Sequence, residues 1–126
     1  MINILARIHR YAKTVPARPA LADGCGVMSY AALQREIARM TAALAGRRVG
    51  LMAANGTPWV VLDLALMARG AVCVPMPSFF SDTQLLHLSG DAGLDMIVTD
   101  QPQRLEALLR TPPLVRLFVG GRRLAC

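Results

Sequence analysis

In the opening stretch, Ile4, Leu5, Ile8 and Tyr11 recur at helical spacing, with Arg7, Arg10 and Lys13 toward the other side. This spacing predicts a helix over residues 2–14, ended by Pro16 and Pro19. The short runs PALADG and VMSY flank a Gly24-Cys25-Gly26 turn, so Ala20 to Tyr30 reads as a hairpin. Ser29 is the expected N-cap of a helix over Tyr30 to Ala45, with Leu33, Ile37, Met40, Ala43 and Leu44 along it. Gly46 is its expected stop.

Beyond that point the periods alternate. Val49 to Ala53 reads as an apolar strand. Thr57 is the expected cap of a helix with Pro58 in its first position and Gly70 at its end. Val72 to Val74 reads as a buried strand, and Pro75-Met76-Pro77 forces an extended loop. Ser81 opens a helix through Ser89, and Gly90 and Gly93 are expected to form a turn. Met96 to Thr99 reads as a strand, Pro102 to Arg110 as a short helix and Val115 to Val119 as a last strand. The expected fold class is therefore α/β: an N-terminal hairpin, then alternating helices and strands of a mostly parallel sheet covered by helices on its faces. Residues 1–126 read as a single partial domain, without repeat, low-complexity stretch or linker.

Composition changes the picture in one respect. Apolar residues make up 54% of the chain and charged residues 17%, against about 25% charged in an ordinary soluble domain. The apolar excess predicts faces covered by something else: the remainder of a larger body, a partner protein, or a second copy through self-association. A membrane span is excluded, because the most apolar stretch, WVVLDLALMARGAVCVPM, is broken by Asp63, Arg69 and Gly70 and a span needs roughly 18 uninterrupted apolar residues. The formal net charge of +6 comes almost entirely from arginines scattered from Arg7 to Arg123. With 5% aromatics and no basic cluster, nucleic acid is not an expected partner. The three cysteines, Cys25, Cys73 and Cys126, are far apart, which argues against a disulfide framework or zinc site and for a reducing compartment. With no basic stretch followed by an apolar run at the N-terminus, a cytoplasmic protein is expected.

Four blocks occur in a fixed order: PARPALADGCGVMSYAAL, AALAGRRVGLMAANGTPWVV, ALMARGAVCVPMPSFF and SDTQLLHLSGDAGLDMIVTD. Their succession over residues 12–100 resembles the opening of the adenylate-forming (AMP-binding) superfamily, which includes acyl- and aryl-CoA synthetases, luciferases and peptide-synthetase adenylation domains. The Gly46-Arg47-Arg48 connection is shorter than the Gly- and Asp-bearing turn usual in that family. The resemblance implies the N-terminal subdomain of a ligase that activates a carboxylate as an acyl-adenylate. In a complete member ATP, magnesium and coenzyme A would be the cofactors. The alternative is a stand-alone, non-catalytic interaction module derived from that fold.

Family chemistry needs a Ser/Thr/Gly-rich phosphate loop with a lysine, an acidic residue for magnesium, an Asp for the ribose and a mobile C-terminal lysine, because a triphosphate requires backbone donors and cations around its charge. The chain has one lysine, Lys13, and no such loop. No catalytic, cofactor-binding or metal residue is therefore expected within it, and that equipment is expected to follow the region it covers. His87 and Asp91 share a helical face, yet no nucleophile elbow or oxyanion hole accompanies them. Cys73, between Val72 and Val74, is expected to pack rather than react. In open parallel sheets ligands bind beyond the carboxyl ends of the strands, which makes Asn55, Phe79 and Phe80 the substrate-pocket candidates. The plainer alternative is that Asn55 bonds backbone at its strand exit and the two rings pack against a missing body.

Overall fold

The computed structural model of the chain describes residues 3–24, 26–54 and 56–108, and the backbone of 116–119. Helix α1 (Ile4–Thr14) starts where the Asn3 side chain accepts the Ala6 N–H at 3.2 Å. Strands β1 (Pro19–Asp23) and β2 (Gly26–Ser29) form the expected antiparallel hairpin. Ser29 caps α2 (Tyr30–Ala43), accepting the Ala32 N–H at 3.2 Å.

Helix α2 stops two residues earlier than its apolar spacing suggests. Leu44 turns to extended backbone and buries its side chain in the core. The carbonyls left open at a helix end need donors, and the Arg69 guanidinium supplies them to Leu44 and Gly46. Gly46 is thus not the helix stop but part of the shortened turn beyond it. Its φ is +88°, and an added Cβ would lie 2.7 Å from Cβ of Asp95. Asp95 in turn accepts the N–H groups of Arg47 and Arg48, and these bonds hold its carboxyl below the usual carboxylate range.

Strands β3 (Arg48–Met52), β4 (Val72–Pro75), β5 (Met96–Thr99) and β6 (Arg116–Val119) form one parallel sheet in the order β4-β3-β5-β6. Helix α3 (Thr57–Arg69) connects β3 to β4, α4 (Asp82–Ala92) connects β4 to β5, and α5 (Pro102–Leu108) leads toward β6. The two-residue period of the strands divides the core. Val49, Leu51, Met96 and Val98 pack with α1, α2, α3 and Met28 of the hairpin on one face. Met52, Ile97 and Met76 pack with Leu85 and Leu94 of the α4 segment and Leu105 of α5 on the other. Helices cover both faces, as the alternation of periods requires.

Two further elements differ from expectation. β4 is an edge strand rather than a buried one: Val72 and Pro75 are exposed and Cys73 and Val74 half-buried. A proline within a strand is tolerated at an edge. Helix α4 runs through Gly90 to Ala92, and Gly93 alone makes the left-handed exit. A helix-interior glycine costs about 1 kcal/mol; burial of Ser89 and packing of Leu88 and Ala92 on the second core outweigh it. Residues 109–110 of the expected last helix and Val115 of the expected last strand lie outside the described residues.

Candidate functional site at the carboxyl edge of the sheet

The parallel strands deliver three connections to one edge: 53–56 after β3, 76–81 after β4 and 100–101 after β5. The first leads into α3. Its N-cap is Gly56, at φ +152°, and no side chain of its own segment caps it. The donor at that end, the Thr57 N–H, is accepted by Oδ2 of Asp23 on the hairpin at 2.8 Å. Thr57 is therefore the first helical residue and not the cap. The carboxylate at the helix N-terminus also complements its dipole. Asn55 lies outside the described residues.

In the second connection Met76 is buried against the sheet, and its N–H extends the β3 pairing by donating to the Leu51 carbonyl at 2.9 Å. Phe80 packs partly into the second core, whereas Phe79 is 84% exposed. The two rings meet edge to face with centroids 5.5 Å apart. Ser81 then caps α4 through a reciprocal pair: it accepts the Gln84 N–H, and the Gln84 side chain accepts the Ser81 N–H.

At the third connection stand three residues that sequence reasoning passed over: Asp100 within it, Thr99 at the end of β5 and Arg104 in α5. Asp100, partly buried past β5, accepts the Ala54 N–H through Oδ2 at 2.9 Å, and its Oδ1 is buried without a partner among the described residues. Thr99, fully buried, accepts the Gln101 N–H at 2.9 Å and turns the chain out of the strand. Arg104, in α5, donates to the carbonyls of Ser78 and Phe80 at 2.8 and 2.7 Å and to Oδ1 of Asp82 at 3.3 Å. An Asp directly after the apolar run MIVT carries a legible turn signal. Arg104 carries none, because its partners lie 22 to 26 residues upstream.

Among the described residues the edge presents the Phe79–Phe80 ring pair, backbone groups and the Asp100 carboxylate. Among the described residues no three His, Cys, Asp or Glu converge to hold a metal, and Lys13 sits on α1, remote in sequence from the edge. His87 and Asp91 are 3.8 Å apart on the solvated side of α4, both largely exposed, which leaves His87 a surface residue. No helix among the described residues is long and apolar enough to cross a membrane.

Comparison with known proteins adds to this geometry. The sequence profile of the family described as AMP-binding enzyme matches residues 8–119. The FR901469 synthetase of Dothideomycetidae sp. (strain 11243) is 32% identical over 114 residues, covering 86% of this chain and 1% of that protein. The polyketide synthase-nonribosomal peptide synthetase pyiS of Pyricularia grisea is 27% identical over 118 residues, 90% of this chain and 3% of that protein. The chain thus spans only a small part of the length of these relatives.

Two solved structures share the fold at low identity. The anthranilate CoA ligase AuaEII with anthranoyl-AMP superposes with a TM-score of 0.82 at 17% identity, over 98% of this chain and 26% of that one. The Klebsiella oxytoca NpsA N-terminal subdomain with anthranilyl-AMSN gives 0.75 at 19%, over 96% and 31%. With the profile running from α1 to the last described strand and the same layers found in the N-terminal subdomains of adenylate-forming enzymes, this chain belongs to the AMP-binding enzyme family.

Proposed function

We propose that the chain is the N-terminal scaffold of an ATP-dependent carboxylate-activating enzyme. In that reaction a carboxylate oxygen attacks the α-phosphorus of ATP, pyrophosphate leaves, and a thiol then displaces AMP from the acyl-adenylate to give a thioester. The observation that supports this reading is the family match across residues 8–119. The described residues do not fit a triphosphate or magnesium site, so no step of the chemistry is assigned to them, and the chain by itself is not catalytic in this reading. Its contribution is structural: the sheet carries part of the acid-binding wall, with Asn55, Phe79 and Phe80 as the candidate contacts. Coenzyme A is the proposed thiol, in keeping with the CoA ligase among the structural neighbours. A carrier-protein thiol is the alternative.

A second reading, a non-catalytic module that binds a partner protein, is supported by the exposed apolar side chains Met67, Val72 and Leu86 of α3, β4 and α4. The mass of the native product in its source cells separates the two, followed by acid-dependent ATP–pyrophosphate exchange on that product. A polypeptide several times heavier than 13.6 kDa that exchanges pyrophosphate only with a carboxylic acid present is the expected result. A product of 13.6 kDa without exchange activity overturns the ligase reading in favour of the module. Adding coenzyme A or a carrier protein to the active enzyme then identifies the thiol.

A further inference from the structure

Phe79 is at once the most exposed large apolar side chain among the described residues and one of the most firmly flanked. The carbonyls on either side of it, of Ser78 and Phe80, both accept from the Arg104 guanidinium, whose third contact is Asp82 at the start of α4. A planar guanidinium places its donors in a fixed fork, so one side chain sets the position of both peptide groups. Asp100, four residues earlier, ties the β3 exit through the Ala54 N–H, directly before Asn55. One short corner, from the end of β5 into α5, thus holds the exits of both β3 and β4.

We propose that Asp100 and Arg104 form a cross-brace that positions the acid-binding wall, Asp100 fixing the Ala54 peptide at the β3 exit and Arg104 presenting Phe79. The functional half of this inference rests on the carboxylate-activating reading; the brace itself does not. Both are positioning residues, acting through the backbone they hold. A ring exposed to solvent yet clamped at both flanking carbonyls is preorganised for contact with a ligand, which lowers the ordering cost of binding.

The test uses the native full-length polypeptide and two readouts. Amide hydrogen exchange is followed over residues 76–82 and 53–57 in Arg104→Met, Arg104→Lys and Asp100→Ala. Loss of the clamp in Arg104→Met is expected to quicken exchange over 76–82 roughly tenfold, leaving the sheet peptides unchanged. Arg104→Lys, which keeps the charge and loses the fork, gives an intermediate effect, and Asp100→Ala quickens 53–57 alone. The KM for the carboxylic acid in pyrophosphate exchange is expected to rise about tenfold in Arg104→Met with the KM for ATP unchanged. Unchanged exchange over 76–82 in folded Arg104→Met overturns the brace, and equal rises in both KM values overturn its role in acid binding. Should Arg104→Met fail to fold, the other two variants decide by the same criteria. Loosened segments in a polypeptide lacking acid-dependent exchange support the brace and overturn the functional reading.

Discussion

Cys73 shows how one side chain reads the edge strand it occupies. It lies half-buried in β4, packed against the first core, and burial first, then Asp63 on α3, pushes its thiol up to about 11. The folded state therefore holds the thiol proton more tightly than the unfolded chain, whose cysteine titrates at about 8.5. The associated stability is fully present below that value and is lost as pH rises through about 11. We expect alkylation of the Cys73 peptide at pH 8 to be on the order of a hundredfold slower in the folded chain than in denaturant. Equal rates in the two states would show a thiol that burial does not protect. The packing role of Cys73 was legible from Val72 and Val74 on either side. Its partial exposure was not, because an apolar triplet looks the same in a central strand and at an edge.

Among the elements, α3 separates local from tertiary causes most clearly. Thr57 and Pro58 announce a helix start, and Gly70 its end, from local chemistry alone. The cap itself comes from Asp23, 34 positions upstream, on the hairpin. Asp23→Ala is expected to lower stability by about 1 kcal/mol, while Thr57→Ala stays within about 0.5 kcal/mol of the parent. Thermal melts of both decide, and the reverse order would restore Thr57 as the cap. The same division holds at α2, whose end is set by burial of Leu44 and by Arg69 rather than by Gly46. Helix α4 matches its sequence at the start, where Ser81 and Gln84 form a local box. It departs at Gly90, where only the second core decides that the helix continues.

At the scale of the whole molecule, the apolar excess is divided between two cores and a surface that still carries Ile4, Val27, Met67, Val72, Phe79 and Leu86. Three of these, Met67, Val72 and Leu86, belong to α3, β4 and α4, and Val72 lies on the edge strand. Unpaired edge strands with apolar flanks promote association, and a lysine placed on them opposes it. The isolated 126-residue chain is expected to self-associate in sedimentation velocity, and Val72→Lys to shift it toward monomer. A parent chain that sediments as a single monomer would remove both this expectation and the partner-binding reading of that edge.

The sequence by itself determined the number and order of the described elements, the hairpin, and the parallel sheet. These follow from local period, from Gly and Pro punctuation, and from caps within three residues of what they cap. It also led to the family, through four blocks whose order is a property of the chain alone. Only the tertiary structure decided that β4 is an edge, that Asp23 caps α3, and that Phe80 turns inward while Phe79 faces solvent. Only it could show Asp100 and Arg104 holding the two strand exits. For the carboxylates and the guanidinium the reason is that their contacts join residues more than twenty positions apart, and no local period records which distant partner such a group will meet.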